Sequence, residues 1–267
     1  MKVHSITFLC LFSISFIAQS DDALIELNTR NGITQKFLLN ESAAVTANVI
    51  LFVGGHGRLN LSAFDDNVFA SWGKKNFLFR SRDAFVKNNF TVAVVDAPSD
   101  MQTSTGMLGG FRTSREHVQD IDYVISYLRE LNNKSVWLIG TSRGTESAAY
   151  VAIHSQQSPN GVVLSSSMTE NNAKGIPVTQ LALNKITIPV LITSHIDDEC
   201  WVTPPIGADE IKEKLTSSTT VQIETFTGGN SPKSDPCMAL SPHGYFGIEN
   251  EVISVIAKFI NNNRKIF

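Results

Sequence analysis

The sequence predicts a three-layer α/β sandwich, with a mainly parallel sheet, an N-terminal antiparallel hairpin and helices on both faces. Three observations predict it. Short continuous runs of Val, Ile, Leu and Phe recur along the chain, the pattern of strands buried on both faces. Segments with helical spacing of apolar residues alternate with those runs. At the start, two strand-like stretches flank Asn31-Gly32, a dipeptide suited to a tight hairpin turn.

The hairpin strands are expected at 23–29 and 33–39. Residues 48–53, NVILFV, form the first buried strand, which stops at Gly54-Gly55-His56-Gly57. A short helix is expected at 80–87, then the strand 90–95, closed by Asp96-Ala97-Pro98. The clearest helix spans 114–131, where Ile121, Val124, Ile125, Leu128 and Leu131 make one apolar face. Strand 136–139 follows, and then a small-residue helix at 145–153. Further strands are expected at 161–164, 189–193 and 221–226, and a closing helix at 249–261. The stretch between strands 161–164 and 189–193 is too short for a large cap, so the site is expected to be open.

The 267 residues are 42% hydrophobic and 18% charged, which suits a globular chain with a sizeable core. A net charge of −3 gives no reason to expect nucleic acid or an anionic membrane as partner. Residues 1–20 read as a signal peptide: Lys2, an apolar run over 6–18, and the small-x-small signal Ala18-Gln19-Ser20. The run is too short for membrane insertion. The mature chain, residues 21–267, is thus expected to be a single domain, secreted or periplasmic. Cys10 leaves with the signal peptide. Cys200 and Cys237 remain, and an even pair in an oxidising compartment favours a disulfide.

One segment carries chemistry. The run 136–144, VWLIGTSRG, is a buried strand ending in Gly140-Thr141-Ser142-Arg143-Gly144, a G-x-S-x-G turn at a strand-to-helix junction. Such a turn forces the serine into an unfavourable backbone conformation and exposes its hydroxyl as a nucleophile. A hydroxyl needs a base, and histidine titrates in the right range. A carboxylate must then hold the imidazole in the correct tautomer. Asp198 or Asp197 follows the second strand after the serine, and His243 precedes the last helix. Loops after parallel strands converge at one sheet edge, so these residues can meet.

With GTSRG, the acidic turn His195-Ile196-Asp197-Asp198 and Pro242-His243-Gly244 in this order, the chain resembles the α/β-hydrolase family. The resemblance covers nearly all of the mature sequence. It implies the α/β-hydrolase fold and a serine hydrolase acting on esters, with Ser142, Asp198 and His243 as catalytic triad and no metal or organic cofactor. Asp198 is favoured over Asp197 because the family's acid commonly lies three residues after a small residue closing the strand, counted here from His195. The oxyanion hole is expected from the N–H of Arg143 and from the glycine loop, at His56 or Gly55. A Cys200–Cys237 disulfide would tie the acid loop to the histidine loop. The implied partner is a small-molecule ester or acyl substrate. Acyl transfer or peptide cleavage would use the same residues, and a non-catalytic binding protein would keep the fold alone.

Other readings compete. His195, Asp197, Asp198, Cys200 and His243 can be taken as a metal cluster, though no tight ligand spacing joins them. Phe64, Phe69, Trp72, Phe77 and Phe79 are either an acyl pocket or core. Arg112, Arg115 and Arg143 either favour an anionic substrate or, as loop arginines usually are, are solvated, and the second is expected.

Overall fold

The computed structural model describes residues 22–65 and 67–264. The signal segment at 1–20 lies outside the described residues. Among the described residues, ten strands are arranged as β1 Ala23–Arg30, β2 Ile33–Asn40, β3 Ala47–Phe52, β4 Leu61–Phe64, β5 Asn67–Ala70, β6 Phe90–Val95, β7 Val136–Ser142, β8 Gly161–Ser167, β9 Val190–His195 and β10 Val221–Phe226. The helices are α1 Phe77–Arg80, α2 Arg82–Lys87, α3 Arg115–Asn132, α4 Gly144–His154, α5 Gly207–Lys214 and α6 Glu249–Asn263.

Eight strands form one sheet in the order β1-β2-β6-β3-β7-β8-β9-β10. β1 pairs with β2 and β2 with β6 antiparallel; β6, β3, β7, β8, β9 and β10 are mutually parallel. All six parallel strands therefore deliver their C-terminal ends to one edge. β3 lies between β6 and β7, with Asn48 opposite Val136 and Leu51 opposite Ile139. That register sets the glycine loop after β3 beside the serine turn after β7.

The central strands are apolar on both sides because both sides are covered. Val49, Leu51, Trp137 and Ile139 pack with Phe85 of α2 and Ile256 and Phe259 of α6. Ile50, Phe52 and Leu138 point the other way, onto Ile121 and Leu128 of α3 and Ala148 of α4. The alternation within each run is the two-residue period of a pleated strand. Each fully buried Leu, Ile or Phe contributes about 1.5–3 kcal/mol. Ser114 starts α3 by accepting a bond from His117 N (3.1 Å), and Asn133 ends it at φ 53°. No helix among the described residues is long and apolar enough to cross a membrane.

Several boundaries differ from expectation. β7, β8 and β9 run on past their apolar cores through Gly140-Thr141-Ser142, Ser165-Ser166-Ser167 and Ser194-His195. Strand ends that face a site carry polar residues, so apolar content alone stops too early. The helix expected at 80–87 is two short helices sharing Ser81 as their cap. The β4–β5 hairpin and α5 were not anticipated.

Candidate active site

The serine turn is built by close packing. Ser142 sits at φ 52°, a left-handed conformation that costs a non-glycine residue about 1–3 kcal/mol. A Cβ on Gly140 would lie 2.3 Å from the Gly144 carbonyl oxygen, and one on Gly144 would lie 2.0 Å from that of Phe52. Both glycines of the motif are thus required by contact, since α4 rises directly against β3. Thr145 Oγ1 donates to the Ser142 carbonyl (2.6 Å) and closes the turn.

The acid and the histidine meet beside it. Asp198 follows β9 in a turn in which its N–H donates to the His195 carbonyl (3.0 Å). Its carboxylate is buried, whereas the Asp197 side chain is 68% exposed. Asp198 Oδ2 lies 2.9 Å from His243 Nδ1. Cys200 N donates to Asp198 Oδ1 (2.9 Å), and Thr203 Oγ1 donates to Oδ2 (3.0 Å) while lying 3.0 Å from His243 Nδ1. An ionised carboxylate only accepts, so the proton shared with Asp198 belongs on Nδ1. Nε2 is left as the basic nitrogen. His243 itself sits in a short 3₁₀ turn, Pro242–Gly244, whose His243 carbonyl accepts from Ser166 Oγ (3.0 Å) and whose Gly244 carbonyl accepts from Arg80 Nη2 (2.6 Å). The Cys200–Cys237 disulfide joins the acid loop to the segment before His243.

The glycine loop lies against the serine. A Cβ on Gly54 would stand 3.0 Å from Ser142 Cβ, and one on Gly55 would run into the Trp72 ring at 2.7 Å. His56 turns away: its Nδ1 accepts from Arg58 N (3.1 Å) and its ring packs on Trp72 at 4.0 Å. Arg143 caps α4, and its guanidinium reaches Asn172 Oδ1 (2.6 Å). Among the described residues, the backbone N–H groups of Gly55, His56 and Arg143 donate to no backbone carbonyl.

Arg112 corrects the expectation that it is solvated. It is 1% exposed and lies under the glycine loop, where Nη2 donates to Val53 O (2.9 Å) and Gly55 O (3.3 Å) and Nη1 to Ser147 Oγ on α4 (2.7 Å). Because C=O and N–H of a trans peptide point oppositely, this grip fixes the two peptide planes flanking Gly54-Gly55. Burial lowers the guanidinium to about 10, so it stays charged at neutral pH. Arg112 and Thr203 have no motif of their own and emerge only from the tertiary contacts.

Gly54, Gly55, Thr141, Ser142, His243 and Gly244 line a hollow of about 370 Å³ at the sheet edge. Trp72 and Phe77 form part of its wall. Phe77 and Phe79 also belong to the core, whereas Phe64 and Phe69 are exposed. For the metal reading, Asp198, Cys200 and His243 do cluster. The Cys200 sulfur is tied up in the disulfide, however, and so offers no thiolate, and Asp198 and His243 Nδ1 bond each other. His195 Nε2 pairs with the Gly228 carbonyl (3.0 Å) and Asp197 is solvated, so the five residues do not form one donor set.

No family model matches this sequence, and neither does any curated protein. Solved structures do. An esterase of Pyrococcus furiosus aligns over 97% of this chain and 99% of its own at 12% identity and a TM-score of 0.61. A dienelactone hydrolase of Anabaena variabilis aligns over 92% and 100% at 12% identity and a TM-score of 0.61. A lidless α/β serine hydrolase of Xanthomonas campestris aligns over 95% and 100% at 12% identity and a TM-score of 0.57. With the parallel sheet, the antiparallel entry strands and the serine turn after β7, the likeness identifies the architecture as the α/β-hydrolase fold.

Proposed function

We propose that this protein is an exported serine hydrolase that cleaves carboxylic esters through an acyl-enzyme. The observation that carries the proposal is the Asp198–His243 hydrogen bond at one side of the hollow that Ser142 also lines. Ser142 Oγ attacks the ester carbonyl carbon as its proton passes to His243 Nε2. The oxyanion is held by the N–H of Arg143 and by the glycine loop at Gly55 or His56. The tetrahedral intermediate collapses, the C–O bond to the alcohol breaks, and His243 returns the proton to the leaving alcohol. Water then attacks the acyl-enzyme by the same route and releases the acid. Asp198 accepts from Nδ1–H and steadies the imidazolium. The apolar N-terminal segment and the Cys200–Cys237 disulfide support export.

A fluorophosphonate probe and a panel of p-nitrophenyl esters test the reading. Labelling and turnover are expected in the wild type. In Ser142→Ala both are lost, with kcat down by about 10⁴-fold or more. Turnover that survives Ser142→Ala would overturn it.

A further inference from the structure

The hollow has two unlike walls. One is the segment 71–77, held rigidly: Asn76 N donates to the Gly73 carbonyl (2.8 Å), and Asn76 Oδ1 caps α1 through Leu78 N (3.0 Å). Arg80 Nη1 donates to the Lys75 carbonyl (2.5 Å) while Nη2 holds Gly244, so this wall is tied to the His243 turn. Lys74 and Lys75 line the hollow from this anchored backbone, and both are exposed. A second stretch of the lining is Cys237-Met238-Ala239, held by the disulfide.

The charge is one-sided. Among the described residues, no acidic one lines the hollow. Among the described residues neither lysine has a carboxylate within ion-pair distance. Asp235, the carboxylate nearest in sequence to the Met238 wall, is not part of the lining. Two uncompensated cations thus stand at the mouth of a cleft in a chain whose net charge is −3. Such a concentration of one sign against the overall charge steers and holds ligands of the opposite sign.

We infer that the natural substrate is an anionic ester, with its apolar stem against Trp72, Phe77 and Met238 and a carboxylate or similar small anion facing Lys74 and Lys75. This rests on the hydrolase reading above. In this reading the lysines meet the distal anion and not the reacting carbonyl, so their contact is the same in ground and transition state. It therefore acts on KM rather than kcat. Lysine ammonium groups act here as mobile point charges, so salt weakens the effect.

The test compares p-nitrophenyl hexanoate with the mono-p-nitrophenyl ester of adipic acid, which has the same chain length and adds one carboxylate. At low salt the adipate ester is expected to show a kcat/KM about ten-fold higher, mostly through KM. The ratio is expected to fall toward one by about 0.5 M NaCl. In the Lys74→Gln/Lys75→Gln double variant it is expected to be near one at every salt concentration. A wild-type ratio of one or below, or a preference that persists in the double variant, overturns the inference. Binding of the matching anilides to Ser142→Ala, by calorimetry, separates the two claims. If the adipic monoanilide does not bind tighter than hexananilide, the anionic substrate is wrong whatever the turnover. If it does bind tighter but no ester turnover depends on Ser142, the hydrolase reading fails and the anion site stands.

Discussion

At Ser142 the backbone is held in a left-handed conformation that costs a non-glycine residue energy. Its φ of 52° is held by Gly140 and Gly144 on either side, and its hydroxyl is not needed to hold the turn, which Thr145 closes. Ser142→Gly should relieve the strain. It is expected to abolish turnover and to raise stability by about 1 kcal/mol, or a few degrees in Tm, measured by calorimetry. Thr203 is a different kind of residue. Its single hydroxyl proton goes to Asp198 Oδ2, so its 3.0 Å approach to His243 Nδ1 is made by the imidazole N–H reaching both oxygens. Thr203 thereby ties Asp198 to His243. Thr203→Val keeps the shape and removes the bond. It is expected to lower kcat roughly ten-fold at unchanged KM, with a stability loss of about 1–2 kcal/mol, checked by steady-state kinetics and urea unfolding.

Among the elements, the one that links the site's two halves is the turn containing Arg112. It bonds the glycine loop after β3 and Ser147 on α4, the helix that follows the nucleophile turn. Arg112→Met leaves two carbonyls and a hydroxyl unpaired under the loop. A stability loss of about 2–4 kcal/mol is expected, with kcat falling further than in Thr203→Val. Arg112→Lys should recover part of both, because one ammonium can still reach one carbonyl. Chemical denaturation and kinetics on one ester check this. The contrast shows what sequence can and cannot reveal. The serine turn was legible because steric contact demands glycine on both sides, and the meeting of the acidic turn with His243 because a parallel sheet brings the loops after its strands to one edge; the preference for Asp198 over Asp197 came from the family resemblance. The burial of Arg112 was not, since nothing local distinguishes an arginine that dives under a loop from one in water. The β4–β5 hairpin escaped for a similar reason: Phe64 and Phe69 look like core residues, yet they sit exposed on a small separate sheet.

Across the whole molecule, two buried titratable groups set opposing pH dependences of stability. Glu146 lies buried in the first turn of α4, and burial pushes its carboxyl up to about 7 despite Arg112, a backbone bond from Ile176 and Arg143. Between pH 4.5 and about 7 the native chain keeps this proton and the unfolded chain releases it, so stability falls as pH rises, by on the order of 3 kcal/mol in all. His117 lies buried between Phe52 and Phe111. Burial, with Arg112 and Arg30 nearby, pushes it down to about 3. Between about pH 3 and 6.5 the unfolded chain binds a proton that the native chain refuses, so stability rises with pH, again by several kcal/mol. The windows overlap from about 4.5 to 6.5, where the two slopes oppose and largely cancel. Single substitutions should unmask each. His117→Phe, which adds an apolar ring between two others, is expected to give a stability that falls from pH 4.5 to 7. Glu146→Gln is expected to give one that rises from pH 3 to 6.5. Denaturant unfolding at unit pH steps measures all three curves. If the variants run parallel to the wild type across the overlap, Glu146 and His117 do not titrate as their burial requires.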